Sequence, residues 1–288
     1  MSTEAILERE RRYRRGVVIA SIFPLLLLVA AAAIQASGGS ESNLDPAALR
    51  LVNEDGGPLL IGSIVAAFAF ILLAAPLVYL FKAAQARSEK VLGALLFLVV
   101  LGPLLFGLQG VMLALGQIDI ADKFVAQEAG VGDIYSLSNN LAEDSSLQSA
   151  ALITQTIGVL ALIFAMIYVP LWAVRTGLLT RFHGTLGMAL GASFILPPLT
   201  AITLPALLAW FMYFGLMLAG RTPKGRPAAW DAGVAVPPTR AGQEPEPAAA
   251  VAGGGIVEGD ATEIPGVDEN PNAARRERAK KRKRKRRR

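Results

Sequence analysis

The chain has 288 residues with a mean hydropathy of +0.47, and Asp, Glu, Lys and Arg make up only 18% of it. Soluble domains have roughly 25% charged residues, so this composition excludes an ordinary soluble protein and predicts a membrane protein. Cysteine is absent, which excludes disulfides, thiolate catalysis and cysteine-based metal sites. The net charge of +5 is uneven, because residues 275–288 hold 12 of the 28 Lys and Arg and the chain before them sums to −6.

Uncharged apolar stretches predict the membrane spans, since a bilayer core of about 30 Å needs ~20 apolar helical residues. Four stretches satisfy this length and are bounded by polar segments: residues 17–36, 59–81, 91–116 and 150–174. Each of them predicts one span.

A fifth uncharged stretch, residues 184–220, is too long for one span, because its helix would measure roughly 55 Å. Proline disfavours helix continuation, so Pro197, Pro198 and Pro205 predict a break. Two spans result, at about residues 179–196 and 199–219, joined by a tight hairpin near Pro198 to Pro205. The predicted fold is therefore all-α, a polytopic transmembrane bundle of six spans over residues 17–220.

The distribution of Lys and Arg favours six spans, because basic residues that flank spans collect on the cytoplasmic side. Six spans place 26 of the 28 basic residues inside and only Arg50 and Lys123 outside. A single span at 184–220 would leave 10 inside and 18 outside. The basic segment 1–16 and the C-terminus are thus predicted to be cytoplasmic, at a bacterial inner membrane.

The first span also resembles a signal peptide, with a basic start, an apolar run and small residues at 36–39. Its apolar run exceeds the ~7 to 15 residues usual in signal peptides, which favours an uncleaved anchor over a cleaved leader.

The two predicted external loops, residues 37–58 and 117–149, are acidic and are interpreted as solvated, without a site. Within the second loop, apolar residues recur at helical spacing and predict a short amphipathic helix at the outer interface. These residues are Ile118, Ala121, Phe124 and Val125.

Beyond the last span, residues 221–274 are rich in Pro, Gly and Ala and predict a disordered linker. Residues 275–288 form a polybasic tip, which could lie on an anionic leaflet, neutralise phosphates of RNA or DNA, bind an acidic protein, or only enforce orientation. The candidate contacts for anionic lipid or nucleic acid are its basic side chains: Arg275, Arg276, Arg278, Lys280, Lys281, Arg282, Lys283, Arg284, Lys285, Arg286, Arg287 and Arg288.

Few polar residues fall within the uncharged stretches that predict the spans, and none of them is Asp, Glu, Lys, Arg or His. Gln109, Thr154, Gln155 and Thr156 could line a path for a neutral solute, or could form hydrogen bonds between packed helices. The lone histidine, His183, cannot build a metal site by itself and is predicted to lie at the membrane interface.

Nucleotide-binding, hydrolase and metalloprotease motifs are absent, so the sequence predicts neither an enzyme nor a bound cofactor. Two hypotheses follow. The first is a membrane scaffold or adaptor with a polybasic cytoplasmic tail. The alternative is a channel or transporter subunit for a neutral or weakly polar solute.

Two stretches carry a resemblance to a known family. Residues 175–187, RTGLLTRFHGTLG, and residues 220–236, GRTPKGRPAAWDAGVAV with Trp230, resemble a family of uncharacterised multi-span membrane proteins of high-GC Gram-positive bacteria. The resemblance implies a multi-helix fold of about six spans over residues 17–236 and no known activity. The chain departs from the family pattern at Pro237 and Pro238, where another tryptophan is expected.

Overall fold

A computed structural model describes residues 2–38, 44–196, 200–223 and 225–236, except for the side chains of Thr200 and Ala201. Within these ranges the chain forms nine α-helices and no strand, which confirms the all-α prediction for the described residues. The helices are α1 (Thr3–Ser37), α2 (Pro46–Glu54), α3 (Gly57–Arg87), α4 (Leu96–Gln127), α5 (Ile134–Glu143), α6 (Ser146–Arg175), α7 (Arg181–Ser193), α8 (Thr200–Leu218) and α9 (Ala229–Ala232).

Four helical segments are long and apolar enough to cross a membrane: Thr3–Ser37, Gly57–Arg87, Gly93–Gly130 and Ser146–Arg175. Three of them contain a predicted span and extend beyond it, and the remaining one, Gly93–Gly130, begins two residues after the start of its predicted span and continues past the end of that span. Large apolar side chains point outward along them, and Ile19 and Leu26 of α1 are 63% and 59% exposed. An exposed apolar surface on helices of this length is typical of a helical membrane protein.

Helix α1 continues the first predicted span into the basic N-terminal segment. The Ser2 hydroxyl accepts a hydrogen bond from the Ala5 backbone N–H at 3.4 Å and caps the helix start. The N-terminal arginines are therefore carried on a helix that is continuous with the apolar one.

The long helices pack in sequence order, with α1 on α3, α3 on α4, and α4 on α6, while α6 also contacts α3. Glycines allow the backbones to approach closely at these crossings. A Cβ at Gly102 of α4 would lie 2.7 Å from the backbone nitrogen of Leu162 in α6, and one at Gly107 would lie 2.8 Å from the carbonyl of Ala67 in α3. Small residues thus set the spacing of these helices, as in other membrane bundles.

Helices α7 and α8 form an antiparallel hairpin that packs against α6 through α7 and against α1 through α8. The hydroxyls of Ser193 and Thr203 lie 2.9 Å apart at one end of the hairpin, and Trp210 Nε1 donates to the His183 carbonyl at 2.9 Å at the other. The two helices are separate, as predicted, but Pro205 lies inside α8 rather than in the connection. With 13 and 19 residues they measure only about 20 and 28 Å.

Helix α2, the end of α4 and helix α5 form one end of the bundle, called here the acidic face. Leu49 and Val52 of α2 pack on Ile120 and Phe124 of α4 in a small apolar cluster. The predicted separate amphipathic helix around residues 118–125 is therefore wrong, because α2 covers these side chains and α4 continues without a break to Gln127.

The charged side chains of the acidic face remain near water. Arg50 pairs with Glu128 at 2.8 Å, and Lys123 pairs with Asp119 at 2.6 Å. The hydrogen bond and the negative charge of Glu128 raise the pKa of Arg50 above its ordinary value. Both pairs are substantially exposed, and such pairs contribute little to stability.

Candidate functional site

The opposite end of the bundle, called here the basic face, comprises the start of α1, the end of α3, the α6–α7 connection and the residues after α8. At its centre lies an ion pair between Glu10 of α1 and Arg87 of α3. Arg87 Nη2 donates to Glu10 Oε2 at 3.0 Å, and Nη1 donates to Oε1 in a parallel bond. The side chains are 0% and 6% exposed for Arg87 and Glu10, so this pair is buried.

Arg87 also holds the chain that follows α8. Its Nη2 and Nε atoms donate to the Ala229 carbonyl at 2.8 and 3.2 Å, and its guanidinium lies 5.6 Å from the centroid of the Trp230 ring. Trp230 stacks on Tyr79, with centroids 5.5 Å apart and planes 7° apart, and the Tyr79 hydroxyl donates to the Glu10 carbonyl. One arginine therefore joins α1, α3 and α9.

Residues 225–236, called here the docking segment, lie against the bundle. Trp230 Nε1 donates to the Leu178 carbonyl at 2.9 Å, and the Val236 N–H donates to the Thr176 carbonyl at 3.2 Å. The prediction of a disordered linker from residue 221 is wrong for this segment, because the buried Trp230 and its hydrogen bonds to the bundle fix it. Residues 224 and 237–274 of that linker and the polybasic tip of residues 275–288 lie outside the described residues.

The acceptors for the docking segment are made available by the way α6 ends. Gly177 has φ +76°, and the N–H groups of Gly177 and Leu178 bond back to Val174 and Ala173 at 3.0 and 2.8 Å, which is a Schellman motif. A side chain at Gly177 would collide with the Val236 carbonyl. The sequence RTGLL thus combines a helix stop with a surface that accepts the docking segment.

The two stretches that carried the family resemblance therefore contact each other. Residues 175–187 supply the carbonyls, and residues 220–236 supply the donors and the tryptophan. Chain order alone does not place them together, since Trp230 and Leu178 are 52 residues apart.

Two grooves with basic rims open beside α1 on the basic face. A cavity of about 410 Å³ between α1 and α3 is lined by Arg9, Glu10, Tyr13, Val17, Ala75, Val78, Tyr79, Lys82 and Ala83. A second cavity of about 490 Å³ between α1 and α8 is lined by Arg14, Arg15, Val18, Ile19, Leu218, Ala219, Gly220 and Arg226. Both combine cationic groups with aliphatic walls.

The structure distributes the predicted polar path over two packed helices. Gln109 is buried in α4, and Thr154 Oγ1 of α6 lies 3.8 Å from Met112 Sδ of α4. Gln155 is half-buried, whereas Thr156 is exposed and donates to the carbonyl of Leu152 in its own helix. The cavities described above are lined by other residues, and the solute-path hypothesis stays a prediction.

His183 is buried between helices of the bundle, and its predicted position at the level of the membrane interface stays a prediction. Only 3% of the residue is exposed, its ring stacks on Trp210 with centroids 4.7 Å apart and planes 1° apart, and Nε2 has no hydrogen-bond partner among the described residues. The ring packs α7 against α8. In the described part of the chain no group of three His, Asp or Glu could hold a metal ion.

Glu10, Arg87 and Trp230 are the residues that sequence reasoning missed at this face. The sequence places Glu10 within a basic segment and Arg87 among the basic residues that follow the second predicted span, so neither residue by itself predicts an ion pair. Their spacing from the spans could have indicated the pair. Glu10 lies seven residues before the first predicted span, and Arg87 lies six residues after the second. In an antiparallel pair of helices, the two side chains are therefore at the same height along the helix axes.

No family model, no curated protein and no solved structure matches the chain. The resemblance to a high-GC Gram-positive family therefore stays a prediction, and the function is argued from the geometry alone.

Proposed function

We propose that the chain is a multi-pass membrane scaffold, without catalytic activity, whose basic face presents a polybasic tail to anionic partners. One observation carries the proposal: Arg87 and the Leu178 carbonyl hold Ala229 and Trp230 of the docking segment, so the chain leaves the bundle from a fixed position beside the N-terminal arginines. A chain that served only to set topology would gain nothing from this attachment. A scaffold gains a defined origin for its tail.

The proposal includes six spans with both ends in the cytoplasm of a bacterium. Its support is the antiparallel α7–α8 hairpin, which returns the chain to the level at which α6 ends, and the excess of Lys and Arg on the basic face. A hairpin of this length either crosses the bilayer or enters it and turns back. Both arrangements leave residue 220 on the same side as residue 3.

The absence of cysteine allows a direct topology test, because each introduced cysteine is the only one in the protein. We expect Asp133→Cys on the acidic face and Ile195→Cys at the hairpin tip to react with an impermeant maleimide on intact cells. Glu8→Cys should react only after permeabilisation. If Ile195→Cys alone fails to react on intact cells, the chain has four spans and not six. If Glu8→Cys reacts on intact cells, the orientation is the reverse of the one proposed.

The tail's partner is proposed to be anionic lipid, RNA or an acidic protein, because the tip concentrates 12 basic residues within its last 14. The test is affinity purification from native membranes of the full chain and of a chain ending at Ala274. A matched control keeps the length and replaces the 12 basic residues of the tip with Gln.

We expect a partner that is present with the full chain, fades as salt rises, and is absent with both altered chains. If a partner still co-purifies after the Gln replacement but not after truncation, its binding depends on the length of the tail and not on its charge. An identical set of partners in all three purifications would refute the scaffold proposal.

A further inference from the structure

We infer that the groove between α1 and α3 binds one anionic phospholipid, with its phosphate at Arg9 and Lys82 and an acyl chain along Val17 and Ala75. This inference rests on the proposed placement of the basic face at a leaflet surface. It concerns a site within the helical bundle, separate from the polybasic tail.

The groove has a gradient of polarity that matches a phospholipid. Arg9 and Lys82 lie at the end toward the basic face, whereas Val17 and Ala75 lie about two helical turns deeper, about 10 to 12 Å along the helices. A lipid headgroup and the first part of an acyl chain have the same order and a similar length. A soluble anion would use only the cationic end.

The net charge of the groove is positive although Glu10 lines it. Both carboxylate oxygens of Glu10 accept hydrogen bonds from Arg87, so its charge is balanced inside the bundle. Arg9 and Lys82 remain as the cationic groups of the rim, and Lys82 donates one hydrogen bond to the neutral Gln85 side chain at 3.2 Å. The groove thus offers two positive charges to a phosphate.

The size of the groove also fits. Its volume of about 410 Å³ falls within the roughly 300 to 1,000 Å³ typical of small-molecule sites. Tyr13 at the rim is 58% exposed, and Tyr79 forms part of the wall. Aromatic side chains with a polar tip are typical of the lipid headgroup level, which places the groove where a headgroup would lie.

The test is a lipid titration of the purified full chain in detergent micelles, read by native mass spectrometry, with phosphatidylglycerol and phosphatidylcholine as probes. The variant Arg9→Gln/Lys82→Gln removes both rim charges. The control Arg12→Gln/Lys90→Gln removes the same charge from exposed positions outside the groove.

We expect the rim variant to bind one phosphatidylglycerol about 30-fold more weakly than the unaltered protein does. The control variant should bind it as strongly as the unaltered protein. Equal weakening in both variants would mean diffuse attraction by charge and would overturn the site. Equal binding of phosphatidylcholine, or no weakening in the rim variant, would do the same.

A second pair of variants tests the acyl-chain half. Ala75→Phe fills the apolar end of the groove and leaves its charges intact, whereas Ala33→Phe places the same ring on an exposed part of α1. Only the first should reduce phosphatidylglycerol binding. The titration uses purified protein and therefore does not depend on a partner of the tail. Lipid binding in the groove can be found when no tail partner is found, and can be absent when one is found, so the two proposals are tested separately.

Discussion

The basic and acidic faces carry opposite charge, and they are also held together by different interactions. At the basic face a buried ion pair, Glu10 with Arg87, joins segments that are 77 residues apart and reaches a carbonyl a further 142 residues along the chain. At the acidic face an apolar cluster holds α2 against α4, and the ion pairs lie at the surface.

The difference shows where charge contributes to structure. Removing two charges from water is costly, and a buried pair is maintained only where hydrogen bonds satisfy both groups, as the bidentate contact and the Ala229 carbonyl do for Arg87. The Arg50–Glu128 pair is solvated in the folded and in the unfolded chain, so it contributes little to the free energy of unfolding. Mutations at the two faces should therefore have effects of different size.

The largest effect is expected at the buried pair. Arg87→Met leaves Glu10 charged, buried and without its partner, and should lower the free energy of unfolding in mixed micelles by about 3–5 kcal/mol. The double variant Glu10→Met/Arg87→Met should lose clearly less free energy of unfolding than the single variant, because no uncompensated buried charge remains. Arg12→Gln, an exposed arginine on α1, is the control, and an equal loss in it would contradict the buried role.

An intermediate effect is expected at Gly177. Alanine there must adopt a left-handed conformation, at roughly 1–2 kcal/mol, and must also displace the Val236 carbonyl. Gly220 is the matched control, since it ends α8 with φ +72° and has open space around it. Gly177→Ala should therefore destabilise more than Gly220→Ala and should expose Arg226 to trypsin. Equal losses and equal cleavage would mean that Val236 does not dock.

The smallest effect is expected at the acidic face. Arg50→Gln removes an ion pair whose arginine is 48% exposed and should leave the unfolding midpoint unchanged at both low and high salt. If the unfolding midpoint falls at low salt but not at high salt, the exposed Arg50–Glu128 pair contributes to stability. The ion pairs of the two faces would then differ less in their contributions than the burial of their side chains indicates.

The sequence predicts the long helices well because length and absence of charge are physical requirements of a membrane span. It does not predict where a helix ends beyond the apolar run. The helical spacing of apolar residues predicts a separate amphipathic helix around residues 118–125, whereas α2 packs on these residues and α4 continues through them. That contact joins segments distant in sequence, and no local pattern reports it.

The site is less predictable for the same reason. Trp230 lies in a segment rich in Pro, Ala and Gly, yet its partners come from helix α3 (Tyr79 and Arg87) and from the α6–α7 connection (Leu178). Composition indicated disorder because the segment has few apolar residues. One buried aromatic ring and the carbonyls released at the end of α6 are enough to order it.

The position of Arg87 also has a consequence for biogenesis. During synthesis, Glu10 and Arg87 can meet as soon as α1 and α3 have been inserted, but the carbonyl and the ring that complete the surroundings of Arg87 emerge only after α8. Until then the guanidinium remains partly open to water or lipid. A bundle without residues 229 and 230 therefore leaves the Arg87 guanidinium without one carbonyl acceptor and without the ring beside it, so the surroundings of this residue differ between an unfinished bundle and a finished one.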